Sequence, residues 1–310
     1  MLRRRPRRYA TRITKKAKTV TLVVTALVFL LLCIAVSATI GLLLGKRVEE
    51  LGPDTGRRYE LSYESYTSNG KIVDPVDAYA YEWGSNAKPY ISMEITDFSV
   101  KLRGTDGMLV YASELGELKD FCSFDGDMDL AEEVEYIHNC GGRVRAYFYV
   151  HAFGVEDTAL RELYQAYEIA LVSEAAGAGV DDIMLIGLEV DGGSIDELER
   201  YVSRMSASVG DCALGVLVSP QLMLLTEQNI YYAARLRSVC DFLALDLRGL
   251  PENADQVNEG MELSLLENMA AQMEYYVSSY AMRAVLSKDN AVLYESAKAL
   301  GFESIQIVGE

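Results

Sequence analysis

Within Val180–Gly193 (V-D-D-I-M-L-I-G-L-E-V-D-G-G), the run Ile183–Val190 is almost wholly apolar. A strand that reads this way is covered on both faces, the condition of a parallel strand packed beneath helices. It is entered through two aspartates. It is left through two acids, Glu189 and Asp191, and two glycines. In a β/α architecture, acids at the C-terminal end of a strand are where chemistry sits.

The rest of the chain repeats the pattern around this strand. From about Pro75, strands are expected at Val76–Trp83 (short and irregular), Tyr90–Asp97, Val144–Val150, Ile183–Val190, Ala213–Val218, Phe242–Leu247, Met282–Leu286 and Ser304–Val308. Helices are expected at Leu130–Asn139, Thr158–Ala176, Ile195–Val209, Thr226–Ser238, Leu265–Ser279 and Ala291–Leu300, several closed by glycine. Such alternation means a parallel sheet. Eight units in about 235 residues suit an α/β fold of the TIM type, a (β/α)8-like barrel with an irregular first unit. An open doubly wound sheet is the alternative.

The N-terminus has a different character. Residues 1–18 hold nine Lys or Arg and no acid, and residues 19–45 then carry no charge at all. An uncharged stretch of 27 residues exceeds the roughly 20 needed to cross a bilayer. It predicts one transmembrane helix, a cytoplasmic basic tail, and a C-terminal domain outside the membrane. Cleavage after Val36-Ser37-Ala38 is the rival reading, but the apolar run continues through Leu42-Leu43-Leu44, longer than a signal peptide needs. Residues 46–74 read as a juxtamembrane linker and 75–310 as the barrel.

Net charge is −17, and without the nine positive charges of the tail the remainder carries −26. That excludes nucleic acid as a partner held by charge. Cys212 and Cys240 precede sequential strands and are the disulfide candidates if the compartment oxidises thiols; free thiols are the other reading. With His138 and His151 the only histidines, no metal centre built on several histidines is expected. No P-loop, dinucleotide fingerprint or G-x-S-x-G is present, so no cofactor is expected. The acidic run Asp125-Gly126-Asp127-Met128-Asp129 lacks a full calcium-loop pattern and reads as a cap for the following helix.

Side chains alternate along a strand, so parity separates the barrel interior from the helix-covered exterior. Arg145, Tyr147, Tyr149 and His151 share one face, and Asp246 and Arg248 another. Glu189 and Asp191 group with Leu185 and Gly187, Glu310 with Gln306 and Val308, and Glu94 with Ser92 and Thr96. This polar set is expected to converge on the interior and its C-terminal rim, with Arg145 and Arg248 as counter-charges. Two carboxyls flanking a sugar are the equipment of glycoside cleavage. Glu189 is the candidate acid, and Asp246, Glu310 or Glu94 the base or nucleophile. Tyr147, Tyr149 and Trp83 are candidate stacking surfaces.

The segments I-S-M-E-I-T-D-F, G-M-L-V-Y-A-S (Gly107–Ser113), Asp129–Phe148 and E-A-A-G-A-G-V-D-D-I (Glu174–Ile183) resemble the glycoside-hydrolase-like TIM-barrel family of bacterial envelope proteins. The resemblance covers about residues 90–192. It implies a barrel with acids after the second and fourth strands in the cleft, and Glu94 and Asp97 fall on the first acid pair. In the fourth strand the chain has L-I-G-L-E-V-D where the family shows F-D-Y-V-R-F-P. Ile186 replaces the aspartate and Glu189 the arginine. The expectation is a membrane-tethered, extracytoplasmic barrel acting on polysaccharide or peptidoglycan. The alternative is a catalytically silent barrel that binds glycan or an envelope protein.

Overall fold

The computed structural model describes residues 66–68, 71–188, 195–219, 227–248, 282–288, 291–299, 302 and 304–309. By Cα proximity the chain divides into Met1–Arg58 and Tyr59–Glu310, and every described residue belongs to the second unit. The basic tail, the apolar run 19–45 and most of the linker lie outside the described residues, as do Glu189, Asp191, Glu310 and the helix expected at 265–279. Among the described residues no helix is long and apolar enough to cross a membrane.

In chain order, β1 (Tyr66–Ser68) and β2 (Lys71–Val73) form an antiparallel hairpin inside the expected linker. Next come β3 (Asp77–Ala80), a short helix α1 (Lys88–Ser92) and β4 (Asp97–Arg103). An excursion after β4 carries the two-residue strands β5 (Met108–Leu109) and β6 (Ser123–Phe124). Then follow α2 (Leu130–Asn139), β7 (Arg143–Tyr149), α3 (Thr158–Gly177), β8 (Asp182–Ile186) and α4 (Ile195–Ser208). The chain continues through β9 (Ala213–Val218), α5 (Glu227–Arg237), β10 (Phe242–Asp246), β11 (Met282–Ser287), α6 (Ala291–Ala299) and β12 (Ile305–Val308). β3, β4 and β7 to β12 pair in sequence, all parallel, and β12 pairs with β3 to close the ring. This is a closed eight-stranded parallel barrel of the TIM type.

The second strand lies later than expected. Pro89 sits in the first turn of α1, where its missing N–H costs nothing. Ile91 and Ile95, four apart, both pack against the core. The strand alternation belongs instead to Phe98, Val100 and Leu102, all fully buried beneath the helices.

β8 also departs from expectation. Met184 and Ile186 join the barrel-interior cluster, while Ile183 and Leu185 pack under the helices. Every residue of β8 is buried, so hydrophobicity carries no parity information there. Gly187 then breaks the alternation with φ 86°, and a Cβ on it would come within 2.9 Å of the Val150 carbonyl oxygen. Leu188 falls into the outer core.

The barrel floor is a buried polar layer. Arg283 grips Asp182 through Nη1–Oδ1 at 3.0 Å and Nη2–Oδ2 at 2.8 Å. Arg145 Nη1 donates to Asp182 Oδ2 at 2.8 Å, and its Nε to Asp97 Oδ1 at 3.2 Å. Gln306 accepts from Arg283 at 2.7 Å and donates to Ser99 Oγ at 2.9 Å. Burial works against the charge on Asp182, but Arg283 and Arg145 outweigh it and hold its pKa below the ordinary value. Arg283 also lies 4.0 Å from the centre of the Phe242 ring, and Phe242 covers Gly215 so closely that a Cβ there would come within 2.0 Å of a ring carbon. The hairpin shuts the floor: Val73 joins the interior cluster, and Lys71 Nζ donates to the Cys212 carbonyl at 2.8 Å and meets Asp241 at 3.3 Å. Cys212 and Cys240 are free. Burial pushes the Cys212 thiol up to about 12 and raises that of Cys240 as well, so both stay protonated.

Two outcomes follow from this floor. Asp182→Ala leaves two buried guanidinium groups without their shared anion, and chemical denaturation should show a loss of about 3–5 kcal/mol. The stabilisation from ionised Asp182 is complete above the usual carboxylate pKa of about 4 and is lost as pH falls through the lower native value. Asp182→Asn should therefore flatten the acid limb of the stability curve. Gly215→Ala should cost about 1–3 kcal/mol by overpacking, and adding Phe242→Leu should recover part of that loss.

Candidate functional site

Inward-facing positions near the C-terminal ends of the strands form the mouth. Lys101 comes from β4, Tyr147 and Tyr149 from β7, and Asp246 from β10, with Arg248 just beyond; Lys288 follows β11 and Gly309 follows β12. Tyr147 Oη donates to the Gly309 carbonyl at 2.8 Å, and its ring meets Tyr149 edge-on at 6.4 Å. Burial, reinforced by Tyr149, raises the Tyr147 pKa, so this hydroxyl keeps its proton and acts as a donor. Arg248 engages Asp246 in a fork, Nε–Oδ1 at 2.9 Å and Nη2–Oδ2 at 2.8 Å, and its Nη1 donates to Tyr149 Oη at 2.7 Å. The Asp246 hydrogen bonds raise the Arg248 pKa.

A cleft of about 650 Å³ opens beside the mouth. Trp83, in the loop after β3, lines it together with Lys101, Tyr147 and Lys288. The indole Nε1–H donates to the Lys101 carbonyl at 2.6 Å, which fixes the ring against the strand. Glu82, Asp125, Asp127 and Glu133 line it too. Asp129 ends the acidic run by accepting from the Glu132 N–H at 3.1 Å, capping α2.

The excursion that supplies Asp125 and Asp127 is tied down from behind. A register shift between Lys101 and Arg103 goes with Arg103 lying outside the barrel, fully buried. Its guanidinium bonds Glu168 at 2.5 Å, the Phe121 carbonyl at 2.8 Å and the Gly107 carbonyl at 3.3 Å, and lies 4.5 Å from the Phe121 ring centre. Glu168 also accepts from the His151 N–H at 2.7 Å and from Tyr201 Oη at 2.5 Å.

The sequence-derived candidates therefore separate. Asp246, Arg248, Tyr147 and Tyr149 stand together at the mouth. Glu94 does not: it occupies the turn between α1 and β4 at φ 67°, exposed, on a flank hollow of about 420 Å³ with Asp77, Asp97 and Tyr294, which shares Lys288 with the cleft. It precedes β4, so it belongs to the opposite end of the barrel. Asp97 and Arg145 belong to the floor. His151 is half-buried in the loop after β7, with Nε2 3.0 Å from the Gly104 carbonyl; a carbonyl can only accept, so Nε2 carries the proton. Lys101 and Lys288 were not anticipated. The signal for Lys101 was the alternation in Asp97–Arg103, which turns it inward once the strand is placed there.

No protein-family model matches the chain, and no curated protein matches it either. Solved structures match in shape. A complex of a GH113 β-1,4-mannanase aligns at TM-score 0.50 and 11% identity, over 76% of this chain and 89% of that one. The spore cortex-lytic enzyme SleL of Bacillus cereus aligns at TM-score 0.43 and 12% identity, over 65% of this chain and 46% of that one, so the chain spans less than half of SleL. A D-psicose 3-epimerase aligns at TM-score 0.43 and 10% identity, over 73% of this chain and 80% of that one. The mannanase alignment places the fold among TIM-type barrels.

Thermal unfolding distinguishes the two ends. Glu94→Gln should shift stability by less than about 0.5 kcal/mol, as expected of an exposed turn. Arg248→Met should cost about 1–3 kcal/mol, because it strips Asp246 of its charged donor.

Proposed function

We propose that this chain is a glycoside-hydrolase-like barrel that takes carbohydrate of the cell envelope, peptidoglycan or another polysaccharide, into the cleft at its C-terminal mouth. In this reading the uncharged stretch 19–45 anchors it in the membrane, with the barrel on the outer side. The observation that carries the proposal is Trp83. It is the single tryptophan of the chain, it lines a cleft at the functional end of a TIM-type barrel, and its N–H is already spent on the Lys101 carbonyl. An indole pinned in this way offers its apolar face to a sugar ring. The surrounding carboxylates and lysines suit sugar hydroxyls. The name of the mannanase is consistent with carbohydrate as the ligand class.

Cleavage would need a proton donor and an ionised partner at the mouth. Both oxygens of Asp246 are taken up by Arg248, which suits the anionic partner and not the donor. The donor role falls to Glu189 in this proposal. The same ion pair also favours a second reading, a barrel that binds glycan without cutting it.

Full-length protein in detergent, incubated with purified peptidoglycan and a polysaccharide panel, separates the readings. The hydrolase reading expects new reducing ends that vanish in Glu189→Gln. The binding reading expects retention on the polymer without product. In either, Trp83→Ala should weaken retention about tenfold, the order of one lost aromatic contact at about 1.4 kcal/mol. Neither product nor retention would overturn both.

A further inference from the structure

Five large apolar side chains are exposed among the described residues, and three belong to α3 and the excursion that packs on it: Leu160 (39% exposed), Leu163 (52%) and Leu115 (47%). The core face of α3 carries Gln165, Glu168, Val172 and Ala175, all buried. A second line runs beside that face. Leu160, Leu163, Tyr164, Tyr167 and Leu171 follow the i, i+3, i+4, i+7 and i+11 spacing of one helix side. The excursion covers this line from Tyr164 onward. Phe121 stacks on Tyr164 with ring centres 3.6 Å apart, Tyr167 Oη donates to the Gly116 carbonyl, and Tyr111 Oη donates to the Leu171 carbonyl at 3.5 Å. Toward the start of α3 the same line runs bare, so Leu160 and Leu163 carry a packed seam out into solvent. Leu115 extends it on the excursion, next to the Gly116 that Tyr167 holds.

The charges of these two segments indicate what covers the leucines. Glu156 and Glu162 lie beside them on the α3 side, and Glu114, Glu117 and Asp120 on the excursion. All five are exposed, and none makes an ion pair among the described residues. Lys119 is the one base between Gly104 and Asp129. Arg161 is engaged elsewhere, by Glu197 and the Val155 carbonyl. A second copy of the chain would set these acids against their own kind. Three half-exposed leucines also fall far short of the roughly 800 Å² per partner that a stable dimer buries. One helix with cationic flanks suits both the small apolar area and the charge. Ala159 and Ala166, exposed within a turn of Leu163, leave room for its backbone to come close.

We propose that the first turns of α3 and the adjoining tip of the excursion dock a basic amphipathic helix of another polypeptide. Its apolar side covers Leu115, Leu160 and Leu163, and its cationic flanks meet Glu114, Glu117 and Glu162. Recognition of this kind rests on a few apolar anchors at helical spacing, with the charges setting partner choice and encounter rate. The charge of −26 outside the basic tail favours a cationic partner at long range. α3 follows β7, so the partner docks at the mouth end of the barrel. The inference stands apart from the carbohydrate reading and does not depend on it.

The test uses the full-length protein in phosphatidylcholine nanodiscs, with empty discs as the baseline, and three labelled peptides of about 18 residues. One is an amphipathic leucine–lysine helix. One has the same composition in scrambled order. One carries glutamate in place of every lysine. Fluorescence anisotropy reads affinity, and hydrogen–deuterium exchange reads place. The leucine–lysine helix should bind at least about tenfold tighter than the other two and protect 114–121 and 158–167. Leu160→Ser with Leu163→Ser should erase that margin while thermal unfolding stays unchanged, because both side chains are exposed. Glu114→Gln with Glu162→Gln should weaken binding and flatten its salt dependence. Equal binding of the scrambled peptide, or full affinity in the leucine variant, would overturn the proposal. Self-association lost in the leucine variant would give the face to a second copy, and protection of 158–167 by the disc alone would give it to lipid; either result also overturns it.

Discussion

The barrel is organised around one buried carboxylate. Asp182 opens β8 and is shared by Arg145 from β7 and Arg283 from β11, strands on opposite sides of the ring. Desolvating such a cluster costs several kcal/mol per ion, and the attraction repays it only when the remaining donors and acceptors are satisfied. Here Asp97, Gln306 and Ser99 take up most of the remainder. The cluster also chooses the face of β8. A strand apolar on both sides can turn either way, but only one parity brings Asp182 to two arginines, and that parity puts Met184 and Ile186 inside. A register slip of one residue would bury the same charge among helices.

This explains what the residues disclosed and what they hid. Alternation of strands and helices was legible because several helices have a cap or a glycine stop and the strands have apolar runs. α2 and β9 fall where the pattern puts them, and the parity of β7, β10 and β12 follows from polar residues that alternate with apolar ones. The second strand was hidden by Ile91, Met93 and Ile95, whose spacing satisfies a helix and a strand equally well; Pro89 was the discriminating residue. β8 was hidden because parity needs contrast, and its apolar core has none. Beyond it, Gly187 at positive φ resets the alternation, so no periodicity argument could carry through to Glu189.

The candidate site was legible in part for the same reason. Tyr147, Tyr149, Asp246 and Arg248 sit on strands whose parity is clear, and they meet at the mouth. Glu94 and Asp97 were drawn to the mouth by the misplaced strand; once β4 begins at Asp97, Glu94 precedes the barrel wall and Asp97 joins its floor. Arg103 shows how one bulge redirects chemistry. It leaves the interior, finds Glu168 in the helix layer, and anchors the excursion that builds the outer cleft wall. The architecture thus keeps its structural charges at the floor and behind the wall.

The central claim is that carbohydrate enters this cleft at the C-terminal mouth. Hydrogen–deuterium exchange of the full-length protein, with and without a saturating peptidoglycan disaccharide-peptide, tests it without presuming catalysis. Protection is predicted at 81–84 and 125–128, with no change at 94–97 around the flank hollow or at 71–73 on the floor. Protection confined to the flank or the floor, with the Trp83 segment unmoved, would contradict the account.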